Sequence, residues 1–143
     1  MLVIPHNCHS ADMNIQVAVQ QVSATASQAQ ARTHQVLVDR PLEKGGEDQG
    51  MMGGEYLLVA LGGCFMSNLL AAVKARDASI RDVRLDVTGT LAGTPAHFSD
   101  IEVAVKAQTE DRELLEKLVV IADRACISSN TLRSAVNLTF RVV

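Results

Sequence analysis

Apolar and polar residues alternate with a period of two over three segments of the chain. Val83, Leu85 and Val87 are interleaved with Arg84, Asp86 and Thr88, and the pattern recurs at Ile101, Val103 and Val105 and again at Val136, Leu138, Phe140 and Val142. Successive side chains of a strand point to opposite faces, so these three segments are predicted to share a half-buried sheet. Nearer the start, Ile15, Val17 and Val19 alternate and residues 33–39 form a β-branched run, with polar residues 23–31 between them as a hairpin loop. Two segments carry a helical pattern. Residues 54–76 are apolar on nearly every face, which predicts a buried helix roughly 33 Å long. Residues 111–126 place Leu114, Leu115, Leu118, Val119, Ala122 and Ala125 on one face and Glu113, Glu116, Lys117 and Asp123 on others, an amphipathic helix capped by Thr109 or Asp111.

The order strand, strand, helix, strand, strand, helix, strand suits an α+β architecture better than a doubly wound parallel sheet. Residues 41–53, rich in glycine, read as a loop feeding the buried helix. Residues 1–12 follow no pattern and read as an N-terminal extension, with Met13 as an alternative start, and residues 13–143 read as a single domain.

Composition narrows the class. The chain has 143 residues, 48% of them hydrophobic, which suits one ordinary core. Its formal net charge of -3 offers no basic stripe for phosphates, so neither nucleic acid nor an anionic membrane surface is an expected partner. The longest apolar stretch, residues 56–73, is interrupted by Gly62, Gly63, Ser67 and Asn68 and is not expected to span a membrane. With no secretory pattern at the N-terminus, the expected location is cytoplasmic. Three cysteines at wide spacing, without a CxxC, argue against a structural disulfide framework or a zinc ribbon.

Two of those cysteines lie in informative surroundings. Cys64 ends the run Ala60-Leu61-Gly62-Gly63-Cys64 inside the long helix. Each interior glycine costs about 1 kcal/mol against alanine, so the pair marks a place where another backbone or a substrate comes close. Cys64 reads either as a small core hydrophobe or as a reactive thiol, and the second requires a cation that lowers its pKa. Cys126 closes the second helix and reads as packing, with Ser128 or Ser129 capping a short helical turn after it. His6-Asn7-Cys8-His9 offers metal-ligand types in an unpatterned segment where neighbouring residues rarely close a tetrahedral site, so no metal is expected there. His34 and His97 are isolated and take no role. No P-loop, GxGxxG or GxSxG motif occurs, and no cofactor is expected.

Taken together, Val38-Asp39-Arg40-Pro41, Gly45-Gly46-Glu47-Asp48-Gln49-Gly50, the run from Glu55 through Cys64, and Ala125-Cys126-Ile127-Ser128 resemble the OsmC/Ohr family, over nearly all of residues 13–143. The resemblance implies an α+β fold of antiparallel sheets and two long helices, assembled as an intertwined homodimer with active sites at the subunit interface. It also implies a cysteine-based reductase of organic hydroperoxides, an antioxidant activity with no cofactor. Cys64 would attack the peroxide, Cys126 would condense with the resulting sulfenic acid, and an external dithiol, a lipoylated protein or another thiol, would reset the disulfide. The family's arginine maps best to Arg32, with Arg40 and Arg133 as alternatives, and its glutamate to Glu55. Glu55 lies nine residues before Cys64, on the opposite helix face, so it acts only if the helix start bends or the partner subunit brings it round. The sequence departs from the family at Gly50-Met51-Met52-Gly53-Gly54, where relatives commonly carry a proline. Two other readings use the same features: a non-catalytic dimer that binds a small apolar molecule against Met51, Met52, Phe65 and Met66, and a thiol redox sensor.

Overall fold

Three short strands, β1 (Ala18–Gln21), β2 (Ser27–Ala31) and β3 (His34–Val38), pair antiparallel in the order β1-β2-β3. β2 occupies part of the segment predicted as a loop. Its residues Ser-Gln-Ala-Gln-Ala carry no apolar alternation, yet the strand forms because its backbone pairs on both sides and its glutamines bond across the ladder. Gln28 Nε2 donates to Gln35 Oε1 at 2.7 Å, and Gln35 Nε2 donates to Gln30 Oε1 at 3.3 Å. Ile15 and Val17 precede β1 rather than joining it. The β2–β3 turn places Arg32 at φ 55°, in the left-handed region that favours glycine.

The computed structural model describes residues 13–143, as two units that divide after Met52. The Cys8 and His6/His9 segment lies outside the described residues. The first unit ends in a loop built around Asp39, which is buried. Its Oδ1 accepts from the Arg40 N–H at 2.7 Å, and its Oδ2 accepts from the Glu47 and Gln49 N–H groups at 3.1 and 3.2 Å. The loop folds so tightly that a Cβ on Gly46 would lie 2.0 Å from the Arg40 carbonyl oxygen, so only glycine fits there. A 3₁₀ turn, Leu42–Lys44, and a parallel bridge between Val38 and Met51 complete it.

In the second unit, α1 (Gly53–Ala75), α2 (Arg112–Ala125) and the short α3 (Ile127–Leu132) accompany a sheet of β4 (Arg81–Ala92), β5 (His97–Gln108) and β6 (Asn137–Val142), in the order β4-β5-β6. The predicted alternation holds. Ile101, Val103, Val105 and Leu138 are buried, while Arg84–Asp86 and Glu102–Arg141 ion pairs occupy positions between the inward-facing residues. β4 and β5 run antiparallel, but β5 and β6 are parallel, because α2 and α3 form the crossover that returns the chain in the same direction. Both α1 and α2 begin within a few residues of their predicted starts. Asp111 is the N-cap of α2, accepting the Leu114 N–H at 2.9 Å.

α1 departs from expectation in two ways. Its buried residues are Leu61, Gly62, Phe65, Leu69 and Ala72, one stripe at helical spacing, whereas Leu57, Val59 and Leu70 are 41–50% exposed, so the helix is not buried on every face of the single chain. Despite Gly62, Gly63, Ser67 and Asn68 it is also, by length and composition alone, apolar enough to cross a membrane. In this fold its buried stripe joins the core instead, with Phe65 against Phe140 at a ring separation of 4.6 Å. Phe65 is therefore a core residue, fully buried within the single chain.

Burial pushes the Asp39 carboxyl up, but donors from Gln49, Arg40, Thr25 and Glu47 outweigh it and hold the pKa below the ordinary range. A carboxylate with a depressed folded-state pKa contributes stability above its unfolded pKa, and that contribution is lost as pH falls through the folded value. Amide exchange at Glu47 and Gln49, corrected for its intrinsic pH dependence, is expected to accelerate as the solution is acidified into that range. Asp39→Asn is expected to exchange fast at those amides at neutral pH. Equal protection of both amides in the variant and the wild type would contradict the assigned role.

Candidate active site

Cys64 lies near the middle of α1, half-buried, on the flank of the stripe that enters the core. The preceding Gly62 is explained by packing. A Cβ there would come within 3.1 Å of Val87 Cγ2, so the glycine lets α1 lie close to β4. Gly63 meets nothing within 4 Å. Within the single chain, the close approach expected of the glycine pair is seen at Gly62.

Cys126 is fully buried at the corner where α2 ends and α3 begins. Its own N–H closes α2 by donating to the Asp123 carbonyl at 3.1 Å. Its Sγ opens α3 by accepting the Ser129 N–H at 3.5 Å. The cap of this short helix is therefore the cysteine sulfur rather than Ser128 or Ser129 as expected. Ser129 serves the corner differently, its hydroxyl donating to the Asp123 carbonyl at 2.9 Å and to the Cys126 carbonyl at 3.2 Å.

Cys64 and Cys126 are both free thiols, and each bears on the ionisation of the other. Their environments pull them apart. Burial pushes the Cys64 thiol up, but the Ser128 N–H, the Cys126 thiol, the Ser128 hydroxyl and the Ile127 N–H outweigh burial and leave its pKa lowered. Burial pushes the Cys126 thiol up as well. There donation from Ser129 only partly offsets it, and the neighbouring Cys64 adds to the rise. Asn68, one turn beyond Cys64, donates through Nδ2 to the Cys64 carbonyl at 2.9 Å and lies 3.9 Å from its Sγ. The result is a half-buried thiol with a lowered pKa beside a buried one with a raised pKa.

The remaining expected residues are placed as follows. Glu55 occupies the first turn of α1 and is exposed, where a carboxylate also complements the helix dipole. Arg133 pairs with Asp123. Arg32 and Arg40 belong to the first unit, Arg32 at the β2–β3 turn and Arg40 beside Asp39. The donors that lower the Cys64 thiol are uncharged, and a sequence search for a cation does not find them. Ser128 and Asn68 are the residues that reading missed. Asn68 carried a signal, since it stands one turn after Cys64 within a helix. Among the described residues no cluster of three or more His, Cys, Asp or Glu side chains is arranged to hold a metal ion.

An α+β scaffold that presents two facing thiols of opposite character defines a dithiol protein. The sequence profile described as OsmC-like protein matches residues 46–141, more than half of the chain and inclusive of both cysteines, and the chain belongs to that family. Solved structures agree on the fold. An OsmC-like protein from Mycoplasma pneumoniae superposes with a TM-score of 0.79 at 18% identity, covering 92% of this chain and 97% of that one. An organic hydroperoxide resistance protein from Elizabethkingia anophelis gives 0.72 at 15% identity, covering 94% and 98%. The organic hydroperoxide resistance protein OhrB of Bacillus subtilis gives 0.67 at 17% identity, covering 92% and 98%. No curated protein sequence matches the chain significantly.

Peptide-resolved alkylation by iodoacetamide separates the thiols directly. Cys64 is expected to be modified at lower pH than an ordinary cysteine, and Cys126 only at higher pH or after unfolding. The reverse order would contradict the opposite shifts of the two thiols.

Proposed function

We propose that the chain is a thiol peroxidase that reduces organic hydroperoxides, a role in peroxide resistance. The observation that carries this reading is the lowered, half-buried Cys64 thiol facing the buried, raised Cys126 thiol. Membership of the OsmC-like family and the fold shared with proteins named for organic hydroperoxide resistance support it. The Cys64 thiolate attacks one peroxide oxygen. An S–O bond forms, the O–O bond breaks, and the leaving alkoxide takes a proton to become the alcohol. Cys64 is thereby oxidised to a sulfenic acid. Cys126 then attacks that sulfur, forming the disulfide and releasing water, and an external dithiol, a lipoylated protein or another thiol, returns two electrons by exchange.

In this reading Arg32 and Glu55 are the guanidinium and carboxylate of the reaction. A positive φ at an arginine costs on the order of 1–2 kcal/mol, and such conformations cluster at working sites, which supports a role for Arg32. The acting assembly is a homodimer. Its support is the unmatched apolar surface of Leu57, Val59 and Leu70 on α1. Light scattering is expected to give twice the chain mass, and a monomer at micromolar concentration would remove this part of the reading.

Reduced protein given one equivalent of cumene hydroperoxide is expected to form the Cys64–Cys126 disulfide, seen by peptide mass mapping without reductant. Cys64→Ser is expected to abolish turnover with excess dithiol. Cys126→Ser is expected to stop at a Cys64 sulfenic acid that further peroxide converts to sulfinic acid. Wild-type protein that consumes no organic hydroperoxide under these conditions would overturn the reading, and disulfide formation without turnover would replace it with a redox sensor.

A further inference from the structure

We propose that Ser128 is a catalytic residue of the Cys64 reaction, its hydroxyl turning from the Ala60 carbonyl to the Cys64 sulfur and, with the N–H of the same residue, holding the thiolate for attack. This rests on the reading of Cys64 as the attacking thiol.

The geometry begins on α1. Ala60 stands one turn before Cys64, on the same side of the helix. Ser128 Oγ reaches across from α3 and donates to the Ala60 carbonyl at 3.5 Å. That is long against the ~2.7–2.8 Å usual for a hydroxyl bonding to oxygen. Within α1 the Ala60 carbonyl is already the acceptor for the Cys64 N–H, so it keeps a partner when the hydroxyl leaves. The Ser128 hydroxyl is thus loosely held one turn from a sulfur within its reach.

Apart from the long bond to Ala60, the Ser128 side chain takes no part in holding the corner. The start of α3 is capped by Cys126 Sγ, and the corner is fastened by Ser129 through the Asp123 and Cys126 carbonyls. The other groups at the Cys64 sulfur are the Ile127 N–H, the Cys126 thiol and, at 3.9 Å, the Asn68 amide. The charged side chains of the same corner are Asp123, Arg124 and Arg133, of which Asp123 and Arg133 pair with each other. Donors from Ser128 are therefore positioned to favour the charged form of the sulfur without a charge of their own, and a hydrogen bond to a charged acceptor is about twice as strong as one between neutral groups.

The test is the pH profile of Cys64 alkylation, read peptide by peptide in the full chain, for wild type, Ser128→Ala and Ser128→Thr, together with organic hydroperoxide reduction. Ser128→Ala is expected to displace the Cys64 profile to higher pH and slow alkylation at neutral pH roughly tenfold, with peroxide reduction falling in step. Ser128→Thr, which keeps hydroxyl and N–H, is expected to restore both. Ser128→Gly is a second variant without the hydroxyl and must displace the profile in the same direction, so a folding defect peculiar to one substitution does not decide the result. Profiles for the hydroxyl-free variants that coincide with wild type overturn the proposal. Alkylation needs no peroxide, so the two readings fail separately. A protein that reduces no organic hydroperoxide removes the peroxidase reading even if the profile moves, whereas peroxide reduction with an unmoved profile removes the role of Ser128 alone.

Discussion

The second unit depends on how closely α1 lies against the sheet. Gly62 permits the contact with Val87, and Leu61, Phe65 and Leu69 then enter the core beside Ile101, Val103 and Val105. A larger residue at position 62 would meet the Val87 side chain and lift the helix. Because Cys64 follows Gly62 by two residues and precedes Phe65 by one, the packing that fixes the core also fixes the direction in which the thiol leaves the helix. The corner between α2 and α3 meets it there, since α2 is itself held on the core by Leu115, Leu118, Val119 and Ala122.

This arrangement resolves a conflict in the requirements on Cys64. A thiol embedded in apolar surroundings resists ionisation, yet an attacking thiol has to ionise near neutral pH. Backbone N–H groups in the first turn of α3 have no partner within the helix and are available to donate outward. Those of Ile127 and Ser128 lower the Cys64 thiol without a charge of their own. Cys126 immediately precedes that turn, so the groups that lower the Cys64 thiol and the second thiol arrive on one short segment.

Much of the architecture was legible from periodicity. β4, β5, β6 and α2 carry one apolar face each, and that pattern survives in a single sequence because it reflects which side faces the core. β2 was illegible because a strand held by backbone pairing and glutamine amides has no apolar face to display. The parallel placement of β6 was also hidden, since alternation specifies which side of a strand is buried and not which way it runs. At the site, Cys64 and Cys126 were found through their neighbouring residues, and their opposition is visible only in three dimensions. Ser128 read as an ordinary capping serine because its contact with Ala60 joins residues far apart in the chain. The search for a cation left out the main chain, whose N–H groups at Ile127 and Ser128 also lower the Cys64 thiol.

Cys126 Sγ serves as a structural acceptor at the head of α3 while standing next to a thiol with which it can bond. On the proposed reading this fastening is also a reagent and comes loose each time it is used. Ser129 makes this tolerable, for its hydroxyl ties the Asp123 and Cys126 carbonyls without involving sulfur, and the Cys126 N–H holds Asp123 as well. The corner therefore has the character of a hinge with a spare pin. One connection can be given up while the others still join the two helices.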